Sequence, residues 1–247
     1  AVLVGYAPGP VLIEDNFLES GGETIFVGYG HFGNGDAIVP TDVTIRRNHI
    51  TRNLAWRGVF LTKNLIEVKM GTRIRIEGNL LTNAWVGSQI AAIVLSLRTE
   101  INCHLCPPSQ PQAELRDVTV TNNIIKGAAM WIDISGIDAS GYQDQPNVGG
   151  GKWPATDLVV ENNLVFDLDP AVWGAGNYTS MALNGPYKRV RVAHNTIVTT
   201  QPYGTGLTTV SVAGQIEGLR WLNNVMTLSV TCFSEQMGSH LAALTKT

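Results

Sequence analysis

The chain has 247 residues, 44% hydrophobic and 15% charged, with a formal net charge of −3 and a pI near 5.9. This composition belongs to a folded protein long enough for one continuous core, and the weak negative charge argues against nucleic acid as the main partner. No apolar run reaches the ~18 residues of a membrane span, and the sequence carries no signal-peptide pattern.

Ala1-Val-Leu-Val4 already alternates like the core strand of an incomplete coil, so the chain is expected to be part of a longer protein. From Val11 onward one motif recurs. It runs Val11, Ile13, Asn16, Leu18; then Val43, Ile45, Asn48, Ile50; then Ile74, Ile76, Asn79, Leu81. It returns as Val118, Val120, Asn123, Ile125; as Leu158, Val160, Asn163, Val165; as Val190, Val192, Asn195, Ile197; and as Leu219, Trp221, Asn224, Met226. The seven asparagines are 32, 31, 44, 40, 32 and 29 residues apart, a spacing that marks a solenoid with insertions.

Alternation such as Val43 and Ile45 against Thr44 and Arg46 predicts a strand with one buried face. The residue before each asparagine is Asp15, Arg47, Gly78, Asn122, Asn162, His194 or Asn223. All but Arg47 are types that tolerate the left-handed backbone region. A one-residue bend there turns the asparagine inward, where it stacks on its copies as an amide ladder. A third strand precedes each motif: Thr24–Gly28, Leu65–Lys69, Ala92–Arg98, Trp131–Ser135, Ser180–Asn184 and Thr208–Ala213. Three short strands per coil with no helix between them predict an all-β fold, a single-domain parallel β-helix of about seven coils over 1–247. Residues 228–247 lose the pattern and suit an irregular cap.

The connections divide by content. Gly28–Thr41 is Gly-rich but lacks the Gly-Lys-Ser/Thr of a phosphate loop, and His31 reads as a solvated loop residue. Trp56, Trp85 and Trp173 sit in connections and are expected to anchor them. Thr99–Arg116 and Gly136–Thr156 are the longest insertions and leave consecutive coils at the same strand end. The outward row Glu14, Arg46, Glu77, Thr121 and Glu161 alternates in sign like a solvated cross-strand ladder. On the preceding strands, inward Ile66, Val68, Leu95, Leu97, Ile132 and Ile134 leave Glu67, Lys69, Ser96, Arg98, Trp131, Asp133 and Ser135 pointing out. One coil further, Asn184 joins them.

Gly9-Pro-Val-Leu-Ile-Glu-Asp-Asn-Phe-Leu-Glu-Ser-Gly-Gly-Glu23, Lys63-Asn-Leu-Ile-Glu-Val-Lys69, Ile74-Arg-Ile-Glu-Gly-Asn79 and Cys103-His-Leu-Cys106 give the chain its family likeness. It resembles the uncharacterised secreted bacterial right-handed parallel β-helix repeat proteins of the pectate-lyase-like superfamily. The likeness runs over nearly the whole chain. It implies a right-handed coil, a secreted or cell-surface location and a bias toward sugar polymers. The arginine-centred pattern of pectate lyases and the Asp-Asp and Gly-His-Gly motifs of polygalacturonases are absent, so no catalytic set is implied. Cys103 and Cys106 in a Pro-rich insertion suit a loop disulfide, with free thiols or part of a zinc site as the other readings.

β-Helix enzymes hold an extended polysaccharide in a groove of mixed charge, and the expected groove here is Glu67, Lys69, Arg98 and Asp133 beneath the two long insertions. Trp131 would stack on a sugar ring, with Ser96, Ser135 and Asn184 as further substrate contacts. A lyase acting by β-elimination on a uronic-acid polymer would use Lys69 or Arg98 as base or as neutraliser of the uronate, lysine being the easier base. Glu67 and Asp133 would hold calcium. An inverting glycoside hydrolase would use Glu67 and Asp133 as its acid and base. A non-catalytic glycan-binding or adhesin-like solenoid is the reading from another class.

Overall fold

The computed structural model describes residues 1–5, 7–28, 39–97, 114–135, 155–174, 179–185, 187–199, 208–213, 216–227 and 231–233. Among them the chain is all-β, apart from one 3₁₀ turn at Leu54–Trp56 and a four-residue helix at Pro170–Trp173. The strands form three parallel sheets of eight, eight and seven strands, an arrangement that fits a β-helix. Successive strands visit the sheets in turn, so sheet neighbours are always one circuit apart. Ile66–Val68 lies in the first sheet, Gly71–Glu77 in the second and Leu80–Ala84 in the third; Ala91–Ser96, Leu115–Thr121 and Ile124–Ala128 repeat the circuit.

The register explains the recurrence of the sequence. In the second sheet Ile45 lies beside Ile76, Ile76 beside Val120, Val120 beside Val160, Val160 beside Val192 and Val192 beside Trp221. Each side chain therefore meets its own copy. In the third sheet Ile50, Leu81, Ile125, Val165 and Ile197 are fully buried, and Leu18 and Met226 pack against them at the two ends. Complete burial of such a side chain stabilises by about 1.5–3 kcal/mol.

The bend before each asparagine is present at all seven positions. Asp15, Arg47, Gly78, Asn122, Asn162, His194 and Asn223 have φ between 50° and 63°. The misfit side chain of Arg47 is held outside by paired hydrogen bonds of 2.9 Å to Asp15. The asparagines form one continuous stack: each Nδ2 donates to the Oδ1 of the next, from Asn16 through Asn48, Asn79, Asn123, Asn163 and Asn195 to Asn224. Each Oδ1 also accepts the preceding asparagine's backbone N–H. These polar groups are thus buried and satisfied together.

A second column of left-handed residues was not legible in advance. Asp42, Arg73, Asp117, Asp157 and Arg189 have φ between 53° and 61°, one residue before the first core position of each second-sheet strand. The C-terminal expectation also changes, because Thr231–Phe233 forms a strand of the first sheet beside Thr208–Ala213. The rest of 228–247 lies outside the described residues, as do His31, Arg98, Cys103 and Cys106, and most of the two long insertions.

Candidate functional site

The outer face of the first sheet is set by its register. Phe26 lies beside Glu67, Glu67 beside Val94, Val94 beside Asp133 and Asp133 beside Ala182. The next outward row runs from Ser96 to Ser135 to Asn184. Glu67, Asp133, Ser96, Ser135 and Asn184 therefore share one face, as their alternation required. Glu67 and Asp133 are two strand spacings apart, roughly 9.6 Å between backbones.

Trp131 is not on that face. It is 0% exposed and packs in the main core. The alternation argument assumed a straight strand, but Trp131 lies where the chain turns from the third sheet into the first, and there both Trp131 and Ile132 face inward. Its register neighbours are the small residues Ala92 and Ser180, which leave room for an indole in the interior. Trp131 is a packing residue, and no sugar ring can reach it.

Glu67 and Lys69 also differ from the open groove expected of them, at only 2% and 6% exposed. Lys69 Nζ lies 3.6 Å from Glu67 Oε1 and 4.9 Å from the centre of the Phe26 ring. Asn64 Nδ2 donates to Glu67 Oε2 at 2.9 Å and also bonds the side-chain oxygen of Gln89. Beside this cluster Lys63 pairs with Glu23 at 2.7 Å. Burial pushes the Glu67 carboxyl above its ordinary range, against the opposing pull of Lys69.

Asp133 forms a second centre. Ser135 Oγ donates to Asp133 Oδ1 at 3.0 Å, and Asn184 Nδ2 reaches Ser135 Oγ at 3.5 Å. Val94 and Ala182 flank Asp133 on either side and belong to an apolar cluster with Ala91 and Met130. Burial raises the Asp133 carboxyl too, and the Ser135 hydrogen bond only partly opposes it. Sequence reasoning missed Asn64 and Gln89; the signal was Asn64, three residues before Glu67 in the stretch that carries the family likeness.

No family model matches the chain, and no curated protein or solved structure matches it. The site has to be judged on its own chemistry. A calcium ion takes six to eight oxygen ligands at close range. Here Val94 stands between Glu67 and Asp133, and an ammonium group sits beside Glu67. Among the described residues no group of three or more His, Cys, Asp or Glu side chains is placed to hold a metal. These residues do not fit calcium. Among the described residues no helix is long and apolar enough to cross a membrane.

The outer face of the second sheet is charged but open. Arg46 meets Glu14 at 2.6 Å and Arg191 meets Glu161 at 2.9 Å, which is the cross-strand ladder expected there. Arg73 pairs with Asp42 at 2.6 Å and Arg189 with Asp157 at 2.5 Å. The arginine hydrogen bonds hold Asp42 and Asp157 below the ordinary carboxylate range. A trough of about 470 Å³ runs between this row and Arg75, Thr119 and Arg191.

Proposed function

We propose that this chain is a right-handed parallel β-helix, a single solenoid of about seven coils, and that it acts on an extended acidic polysaccharide along the outer face of its first sheet. The observation that carries the reading is the near-complete burial of Glu67 and Lys69, with a part-buried Asp133 on the same face. Ionisable groups kept out of water at a cost, with raised carboxyl pKa values, cluster at functional sites.

The chemistry favoured is β-elimination on a uronic-acid polymer. The ammonium of Lys69, 3.6 Å from Glu67, suits neutralising a uronate carboxylate better than abstracting a proton. Neutralisation acidifies the adjacent ring C–H. Asp133, whose carboxyl burial raises, is then the base, and it accepts a hydrogen bond from Ser135. The electrons of the broken C–H bond form the ring double bond as the glycosidic oxygen leaves. No metal enters this scheme. A non-catalytic glycan-binding solenoid is the second reading, favoured by the low exposure of Glu67 and Lys69.

The test is incubation with a panel of uronic-acid and neutral polysaccharides, with and without calcium, following ultraviolet absorbance of unsaturated products and release of reducing ends. Absorbance that survives chelation and disappears in Lys69→Ala and Asp133→Asn supports the lyase. Reducing ends without absorbance would move the assignment to hydrolysis by Glu67 and Asp133. Binding without cleavage would leave the glycan-binding module.

A further inference from the structure

Arg52 is the most costly side chain in the described structure that no role above explains. It is 1% exposed, and its Nε and Nη2 have no hydrogen-bond partner among the described residues. Its single polar contact is Nη1 donating to the Trp85 carbonyl at 3.3 Å, with the guanidinium 5.4 Å from the centre of the Trp85 ring. Among the described residues no carboxylate pairs with it. Burial alone pushes its pKa down to about 10, which leaves it a full cation at neutral pH. A buried charge without a counter-charge is strongly disfavoured unless something else supplies one.

Trp85 also lines a pocket. Trp85, Trp173 and Ala129 form a buried cluster against which Trp56 packs. Next to it a cavity of about 520 Å³ is lined by Arg57, Val59, Phe60, Leu61, Trp85 and Val86. That volume lies in the range of small-molecule sites, as does the mixture of apolar walls with one charged group. Leu61 is 76% exposed, and Val59 and Phe60 are also open to solvent, so the apolar wall is uncovered. Arg57 lies 6.0 Å from the Trp173 ring centre. Gly87, also in the lining, lies directly on the Thr62 hydroxyl, which is buried and without a partner. Among the described lining residues the pocket is mostly apolar with one cation, Arg57, while Arg52 lies against the lining residue Trp85 and the Thr62 hydroxyl against the lining residue Gly87.

We propose that this pocket binds an organic acid, a carboxylate on an apolar body, with the carboxylate toward Arg57 and Arg52 and the body against Phe60, Leu61 and Val86. Arg57 makes the direct contact at the mouth. Arg52 acts from behind Trp85, where the low dielectric carries its unbalanced charge further than water would. The site is separate from the first-sheet carboxylates and does not depend on the polysaccharide reading.

The experiment titrates the full chain with benzoate, with benzyl alcohol as the ring without the charge and acetate as the charge without the ring. Binding is followed on the indole N–H resonances, with Trp85 identified by Trp85→Phe. Benzoate should saturate in the millimolar range or below and shift the Trp85 resonance, and the other two should bind about tenfold more weakly or not at all. Arg52→Met, which keeps the length and removes the charge, should bring benzoate down to the level of benzyl alcohol and leave benzyl alcohol unchanged. Arg57→Gln, at the surface, should do the same if Arg52→Met does not fold. Equal binding of benzoate and benzyl alcohol, no saturable response to benzoate, or an unchanged benzoate affinity in the arginine variants would overturn the proposal.

Discussion

On the second sheet, Arg73 meets Asp42 and Arg189 meets Asp157 with the arginines exposed and the aspartates part-exposed. On the first sheet, Glu67 and Lys69 meet at 3.6 Å with almost none of either exposed. Both join a basic side chain to a carboxylate, in opposite environments. In solvent, an arginine–carboxylate hydrogen bond lowers the carboxyl pKa because the charged form is already hydrated. Out of solvent, the desolvation of Glu67 outweighs its attraction to Lys69, and the pKa rises. The sign of a pKa shift thus separates a solvated ladder from a face that holds charge at a cost, although both look alike as alternating charged residues.

The sharpest way to break this contrast is Glu67→Ala. It removes a carboxylate 3.6 Å from a buried ammonium and should cost about 3–5 kcal/mol, as for a broken buried ion pair. Denaturant midpoints measure it, and Glu67→Leu combined with Lys69→Met should recover most of the loss. A cost under about 1 kcal/mol would make the pair equivalent to a surface ion pair.

The pH dependence should sharpen the contrast with a smaller effect. Glu67 and Asp133 have folded pKa values above their unfolded ones. Between the two values the folded chain holds the proton and the unfolded chain does not, so these groups make the protein more stable as pH falls from neutral into that window. Asp42, Asp157 and Glu161 have lowered values. Their contribution is complete above the ordinary carboxylate range and is lost as pH falls through the lowered values. Unfolding free energy against pH, compared between the parent and Glu67→Gln/Asp133→Asn, should show the parent gaining relative to the variant on mild acidification. No relative change would place both carboxylates in water, and a relative loss would mean that their neighbours hold them charged.

The smallest effect belongs to the second sheet. Asp42→Asn and Asp157→Asn should change the melting temperature little, and less still at high salt, because exposed pairs are screened. A large, salt-independent loss would mean that these left-handed positions depend on their ion pairs.

Much of the fold was legible because one rule is applied seven times. The asparagine spacing, the left-handed residue before it and the inward aliphatic pairs all reappear in the structure, since a parallel stack places each residue beside its own copy. The second left-handed column was hidden because Arg73 and Arg189 are not residues whose type announces such a bend. Alternation placed Glu67 and Asp133 on the right face. It misjudged Trp131, where the strand bends at a corner, and it could not anticipate that Glu67 and Lys69 would be covered. Arg52 follows the strand His49–Thr51, where nothing in its type announces burial; the residue it packs against, Trp85, is 33 residues away.

The asparagine stack has one further property. Every amide in it donates in the same sense, from the coil nearer the start of the chain to the next. Such a column is a ruler that counts turns, not residues. Asn79 reaches Asn123 across 44 positions with the same 3.0 Å bond that joins Asn48 to Asn79 across 31. The lengths of the connections are thereby released from the register of the sheets. A repeat can lengthen its loops without shifting its neighbours, and a repeat grafted in keeps phase so long as it brings its own asparagine pointing the same way.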